Sequence, residues 1–171
     1  MATLRAGLLD GIQITTHECG EVLVSQLLAL GATVAAPGEA GVPDAIVCDV
    51  GSLDALDEAW PVIQGVVADS MIPAGPLPDG ATRKVLLIGP RPGGTSGAGG
   101  AGLEPARAAL ENLARTLSVE WARFSIVAAM VAPGEDTTDE QVATLVAFLC
   151  SSAGHYFSGC RFSLGGVTKP G

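Results

Sequence analysis

The hydrophobic pattern changes period several times along the chain, and each change marks an element. GIQITT (11–16) is a short β-branched run after a glycine, which predicts a strand. GEVLVSQLLALGA (20–32) places apolar residues at 23, 24, 27, 28 and 30 and stops at Gly31, the spacing of a helix. TVAA (33–36) predicts a second strand, closed by Pro37-Gly38. DAIVCDV (44–50) predicts a third, apolar on both faces as a central parallel strand is. Ser52 is the expected cap of a helix whose first turns carry Asp54, Asp57 and Glu58, acids that suit the positive end of the helix dipole. That helix is expected to reach about Met71, with a kink or break near Pro61. After the loop PAGPLPDG (73–80), RKVLLIG (83–89) predicts a fourth strand. The Gly-rich stretch 90–102 leads into an amphipathic helix over 102–121. SIVAAMVAPG (125–134) predicts a fifth strand and a turn. TDEQVATLVAFLCSS (138–152) predicts a helix with Thr138 as N-cap and Gln141 completing a capping box. GCRFSLGG (159–166) predicts the last strand.

Strand and helix alternate without a linker or an internal repeat. The pattern predicts one α/β domain over 1–171, a three-layer parallel sheet of about six strands with helices on both faces. Hydrophobic residues make up 48% of the chain and charged residues only 16%, so part of the surface is expected to be covered by a partner. A small domain with apolar central strands would share that composition. The net charge is −9 and the nine basic residues are scattered, which excludes a nucleic-acid or anionic-membrane footprint. The four cysteines form no CxxC pair and read as small buried hydrophobes in a reducing compartment. His17-Glu18-Cys19 lacks a second pair at ligand spacing, so no metal is expected. No signal-peptide pattern opens the chain and no apolar run spans a bilayer, so the expected location is the cytoplasm.

The segment ARAALENLARTLSVEWARFSIVAAMVAPG resembles the active-site helix, next strand and Pro-Gly turn of the short-chain dehydrogenase/reductase family. DEQVATLVAFLCSSAGHYFSGCRFSLGG is similar to that family's last helix and last strand. The likeness covers residues 83–166 closely; in the first half GEVLVSQLLALGATV and LDEAWPVIQGVVADSMIPAG carry it more faintly. It implies a shortened, flavodoxin-like version of the three-layer Rossmann-like sheet, in which the helix–strand unit between the family's second and fourth strands is missing.

The resemblance implies a tyrosine and a lysine four residues apart at the start of the active-site helix. Those positions hold Leu103 and Arg107. Leu103 cannot transfer a proton, and Arg107 keeps a charge but does not substitute for a lysine at a shaped site. The family's serine position falls at Ile88-Gly89-Pro90, and Pro90 has no hydroxyl. Thr95 and Ser96 lie nearby in the loop without an evident base. Of the dinucleotide fingerprint only Gly20 stands in place; the other positions are Glu18 and Ile14. Glu18 and Glu21 put negative charge where a phosphate would sit. Ala36-Pro37 ends the second strand with no side chain to read a ribose. The loop 93–102 is glycine-rich but lacks the Gly-Lys-Ser/Thr end of a phosphate loop, and reads as filler for a lost active-site loop. After Pro133-Gly134 the next helix follows at once, so the family's substrate lid is missing.

The catalytic positions Leu103, Arg107 and Pro90 and the cofactor position Gly20 thus read as vestigial. The helix at 102–121 carries Leu103, Ala106, Leu110, Leu113, Leu117 and Trp121 on a core stripe. Pro105, Ala108, Ala109, Asn112 and Thr116 form a small-residue side suited to a neighbouring helix, and Trp60, Val62, Ile63, Val66 and Val67 exceed what one buried face needs. Tyr156, Phe157 and Phe162 add aromatic anchors. The expectation is a non-catalytic subunit, pairing as a dimer or tetramer with a catalytically active member of the family. No cofactor is expected on this chain, and NAD(P) is expected in the partner. Two other readings stand beside it. One is an unusual NAD(P)-dependent oxidoreductase. The other is a small-molecule binding protein using the sheet end near 89–102.

Overall fold

In the computed structural model, residues 4–39, 41–51, 53–93 and 102–165 are described. Six strands form one parallel sheet: β1 (Gln13–His17), β2 (Thr33–Ala35), β3 (Ala45–Asp49), β4 (Arg83–Ile88), β5 (Ile126–Pro133) and β6 (Cys160–Leu164). Their order is β2-β1-β3-β4-β5-β6, and every neighbouring pair is parallel. The order reverses between β1 and β3, the flavodoxin-like arrangement that a missing helix–strand unit produces.

Four helices cover the sheet: α1 (Glu21–Ala29), α2 (Leu53–Val66), α3 (Leu103–Glu120) and α4 (Asp139–Cys150). The central strands are apolar throughout because each face has its own core. Val47, Leu86, Ile88 and Val131 join Leu23 and Leu27 of α1 and Val142 and Val146 of α4. Ile46, Cys48, Val85, Leu87 and Met130 join Ile63 of α2 and Leu110 and Leu117 of α3. Alternate residues of one strand therefore serve opposite layers.

Most element boundaries match the pattern within a residue or two, and Thr138 and Gln141 form the expected capping box, with N–H···O distances of 3.3 and 2.9 Å. The cap expected at Ser52, the loop residues Thr95 and Ser96, and the strand end at Gly166 lie outside the described residues. Pro61 corrects an expectation: α2 runs through it unbroken. Pro61 and Asp57 are both exposed, so the carbonyl freed by the missing N–H faces water. The irregularity comes later, where Val67–Met71 widen into a π-helical turn and Ile72 N donates to Val67 O at 2.9 Å. Arg83 closes this end, its guanidinium donating to Met71 O at 3.3 Å and Gly75 O at 2.5 Å.

The core stripe of α3 also differs. Its buried members are Ala106, Arg107, Leu110, Ala114 and Leu117, while Leu103, Leu113 and Trp121 are half-buried. Trp121 sits at the helix end and stacks on Trp60 of α2, with centroids 6.5 Å apart and planes 8° from parallel. Of the cysteines, Cys48 and Cys150 are buried as expected, but Cys19 and Cys160 are only half-buried at strand ends. Among the described residues no helix is long and apolar enough to cross a membrane.

Candidate functional site

The crevice at the carboxyl ends of the strands is where doubly wound sheets place ligands. Register brings Asp49 opposite Ile88, Ile88 opposite Val131 and Pro133 opposite Leu164, so these ends form one rim. The first turn of α3 packs beneath it.

Arg107 is only 7% exposed. Its Nε and Nη2 donate to Pro90 O at 3.2 and 3.0 Å, and Nη2 also donates to Pro133 O. Nη1 pairs with the Glu104 carboxylate at 3.4 Å. The guanidinium thus ties the ends of β4 and β5 to α3, with its donors directed at main-chain carbonyls. Pro90 is buried and meets Arg107 through its backbone alone. Gly89 is packed so closely that a Cβ there would stand 2.4 Å from Met130 Cε. Leu103 begins the same helix half-buried, and its side chain carries no proton to exchange.

Gly20 lies apart from this group, at the N-cap of α1 under β1. It is exposed, its backbone is extended at φ −67° and ψ 159°, and a Cβ there would meet nothing within 4 Å. The left-handed residue of the turn is Glu18, at φ 56°. The Cys19 thiol donates to His17 O at 3.5 Å and Val47 O at 3.4 Å, fastening β1 to β3. Burial pushes the Cys19 thiol up to about 12, so it is not a thiolate nucleophile at neutral pH.

Four residues of the crevice escaped the sequence reading: Asp49, Arg91, Thr137 and Asp139. Arg91 donates to Thr137 O at 2.8 Å and to Asp139 at 2.6 Å. Thr137 Oγ accepts from Gly134 N at 2.7 Å and donates to Leu164 O at 2.9 Å. The short connection from β5 to α4 is therefore latched on both sides, where the resemblance would place a lid. The signals were faint: Asp49 near the end of DAIVCDV, and one arginine after β4. Glu18, Asp49 and Asp139 against Arg91 leave the crevice net negative, which disfavours a pyrophosphate. Among the described residues no group of three His, Cys, Asp or Glu is placed to hold a metal ion.

Burial pushes Asp49 up to about 6; Arg91 opposes the rise, while Asp139 and Glu18 add to it. A carboxyl whose folded pKa is raised is held more tightly as the acid in the folded state. Its contribution to stability is best below about pH 4 and falls as pH rises through about 6. Asp49→Asn is therefore expected to be more stable than the parent by about 1–2 kcal/mol at pH 7.5. The advantage should shrink below pH 6 and vanish near pH 4. Urea unfolding of both proteins across this range checks it.

A parallel, doubly wound sheet with a switch-point crevice defines an α/β fold of Rossmann type. No family model matches the sequence, and no curated protein matches it. Among solved structures, the chain is similar to the citronellol catabolism dehydrogenase AtuB of Pseudomonas aeruginosa PAO1, with TM-score 0.72, 20% identity, and coverage of 96% of this chain and 97% of that one. It is also similar to the Pseudomonas aeruginosa RhlG/NADP active-site complex, with TM-score 0.69, 16% identity, and coverage of 92% and 96%. At these identities the likeness is one of fold. The architecture shared with these structures is a Rossmann-like α/β fold built on a six-stranded parallel sheet.

Proposed function

We propose that this chain is a non-catalytic subunit that assembles with a catalytically active short-chain dehydrogenase/reductase. The observation that carries the reading is Arg107. At the position the resemblance gives to the catalytic lysine, the cation is buried and bonded to the Pro90 and Pro133 carbonyls. A group held this way has its Nε and Nη2 donors engaged by backbone carbonyls and Nη1 turned to Glu104, so it is not poised to hold a ribose or a phenol. Leu103, the latched β5–α4 connection and the negative crevice support the same conclusion.

The assembly half rests on the outer face of α2 and α3. Trp60, Val62, Val66, Leu113 and Trp121 are half-buried apolar side chains that pack against the core beneath these helices and keep part of their surface exposed. Ala108, Ala109 and Thr116 are exposed beside them, with Val119 at 78% exposure. Tyr156, 89% exposed, stands after α4 as a separate aromatic anchor. NAD(P) belongs to the partner in this reading, as does oxidation or reduction of a hydroxy or keto substrate, in keeping with a dehydrogenase and an NADP complex among the structural neighbours.

The isolated chain is expected to show no saturable binding of NADH or NADPH, followed by nicotinamide fluorescence and calorimetry up to millimolar cofactor. Stoichiometric binding would overturn the reading and make the chain an oxidoreductase in its own right.

A further inference from the structure

On the outer side of the Gly134–Thr138 connection lies a groove of about 470 Å³, between Leu4, the first turns of α4 and the end of β6. That volume is in the range of small-molecule sites. The floor is apolar: Leu4, Leu145, Phe148 and Leu164. Glu140, Thr144 and Phe148 follow at four-residue spacing, so one face of α4 forms a wall.

The walls are fixed before any ligand arrives. Thr137 is bonded to Gly134 and Leu164. The Thr144 hydroxyl accepts from Gln26 at 2.9 Å and donates to Glu140 O at 2.7 Å. Gln141 is engaged in the capping box. Thr137, Gln141 and Thr144 already have protein partners, so the charge left to a ligand comes from the carboxylates of Asp136 and Glu140, the latter also accepting from its own N–H and the Thr138 hydroxyl. The Glu140 backbone N–H and the Thr138 hydroxyl hold the Glu140 carboxyl below the ordinary range, so it is anionic at neutral pH. No Lys or Arg is among the described residues of the lining.

A preformed apolar floor with acid at one end and, among its described lining residues, no Lys or Arg matches one ligand chemistry. We propose that the groove binds a small alkylammonium ion, its chain lying on Leu4, Leu145, Phe148 and Leu164 and its head between Asp136 and Glu140. The groove shares Thr137 and Leu164 with the crevice, and the proposal does not depend on the proposed assembly.

The test titrates n-octylammonium chloride, n-octanoate and n-octanol into the full chain, below micelle-forming concentrations, followed by amide NMR shifts and calorimetry. Octylammonium is expected to saturate, to shift amides of Asp136 to Phe148 and of Leu164, and to bind at least about tenfold more tightly than octanoate. Asp136→Asn with Glu140→Gln, both at exposed positions, should cut that preference to less than about threefold. Leu145→Gln should weaken all three ligands; if it unfolds, the carboxylate variant alone decides. Equal binding of the three ligands, no saturable octylammonium binding, shifts spread over unrelated surface, or a preference unchanged in the carboxylate variant would each overturn the proposal.

Discussion

Replacing Arg107 with methionine should destabilise the protein by about 3 kcal/mol, among the largest effects of any single side chain here. Methionine keeps the apolar stem but removes the guanidinium. The Pro90 and Pro133 carbonyls then lose their donor in a site only 7% exposed at Arg107. Each charge-assisted bond is worth about 1.5–3 kcal/mol, and the relief of a desolvated cation offsets part of the sum. For a domain of this size the melting temperature should fall by roughly 6–12 °C. Arg107→Lys should lie between the two, because an ammonium on a shorter stem cannot reproduce the fork that spans both carbonyls. Urea unfolding of the three proteins measures the series. A neutral methionine variant would mean that the guanidinium is not a structural tie, and the argument from Arg107 would fail.

Gly134→Ala should be comparably costly, at about 2–4 kcal/mol. A Cβ there would stand 2.3 Å from Leu164 O and 3.2 Å from Gly165 Cα, and both obstacles are backbone. The ends of β5 and β6 would have to part, breaking the Thr137 contact to Leu164 O. Gly89 is the control. There the nearest obstacle is the flexible end of Met130, 2.4 Å from the added Cβ, which can rotate aside, so alanine at 89 should cost about 1 kcal/mol. Denaturant unfolding, with hydrogen exchange at β6, separates a local parting from a global loss. Equal costs at the two glycines would contradict the close approach that seals the β5–α4 connection.

The fold was legible because its signals are local and repeated. Period-2 and period-3.6 runs alternate, Gly31 and Pro37-Gly38 stop the first elements, and Thr138 with Gln141 starts α4. The sheet order followed from the apparent loss of one helix–strand unit, information carried by resemblance rather than by any residue. Pro61 misled because a helix can bend its i−4 carbonyl away from the proline ring and toward water on an exposed face, and Asp57 and Pro61 are both exposed. The site was harder to read. The position of Arg107 was clear, but its bonds depend on where β4 and β5 end in space, at Pro90 and Pro133. Asp49, Arg91 and Thr137 were invisible for the same reason: each is unremarkable in sequence and gains meaning from neighbours on other strands. Leu103 and Trp121 sat on the helical stripe by spacing, yet the helix ends lie at the core's margin and leave both half-buried.

The most direct measurement is affinity purification of the tagged chain from its own host, with native mass spectrometry of the eluate. The account predicts a second chain in fixed ratio, one that carries an intact Tyr-x-x-x-Lys pair and retains bound NAD(P). Elution of this chain alone, as a monomer or homo-oligomer, would contradict it.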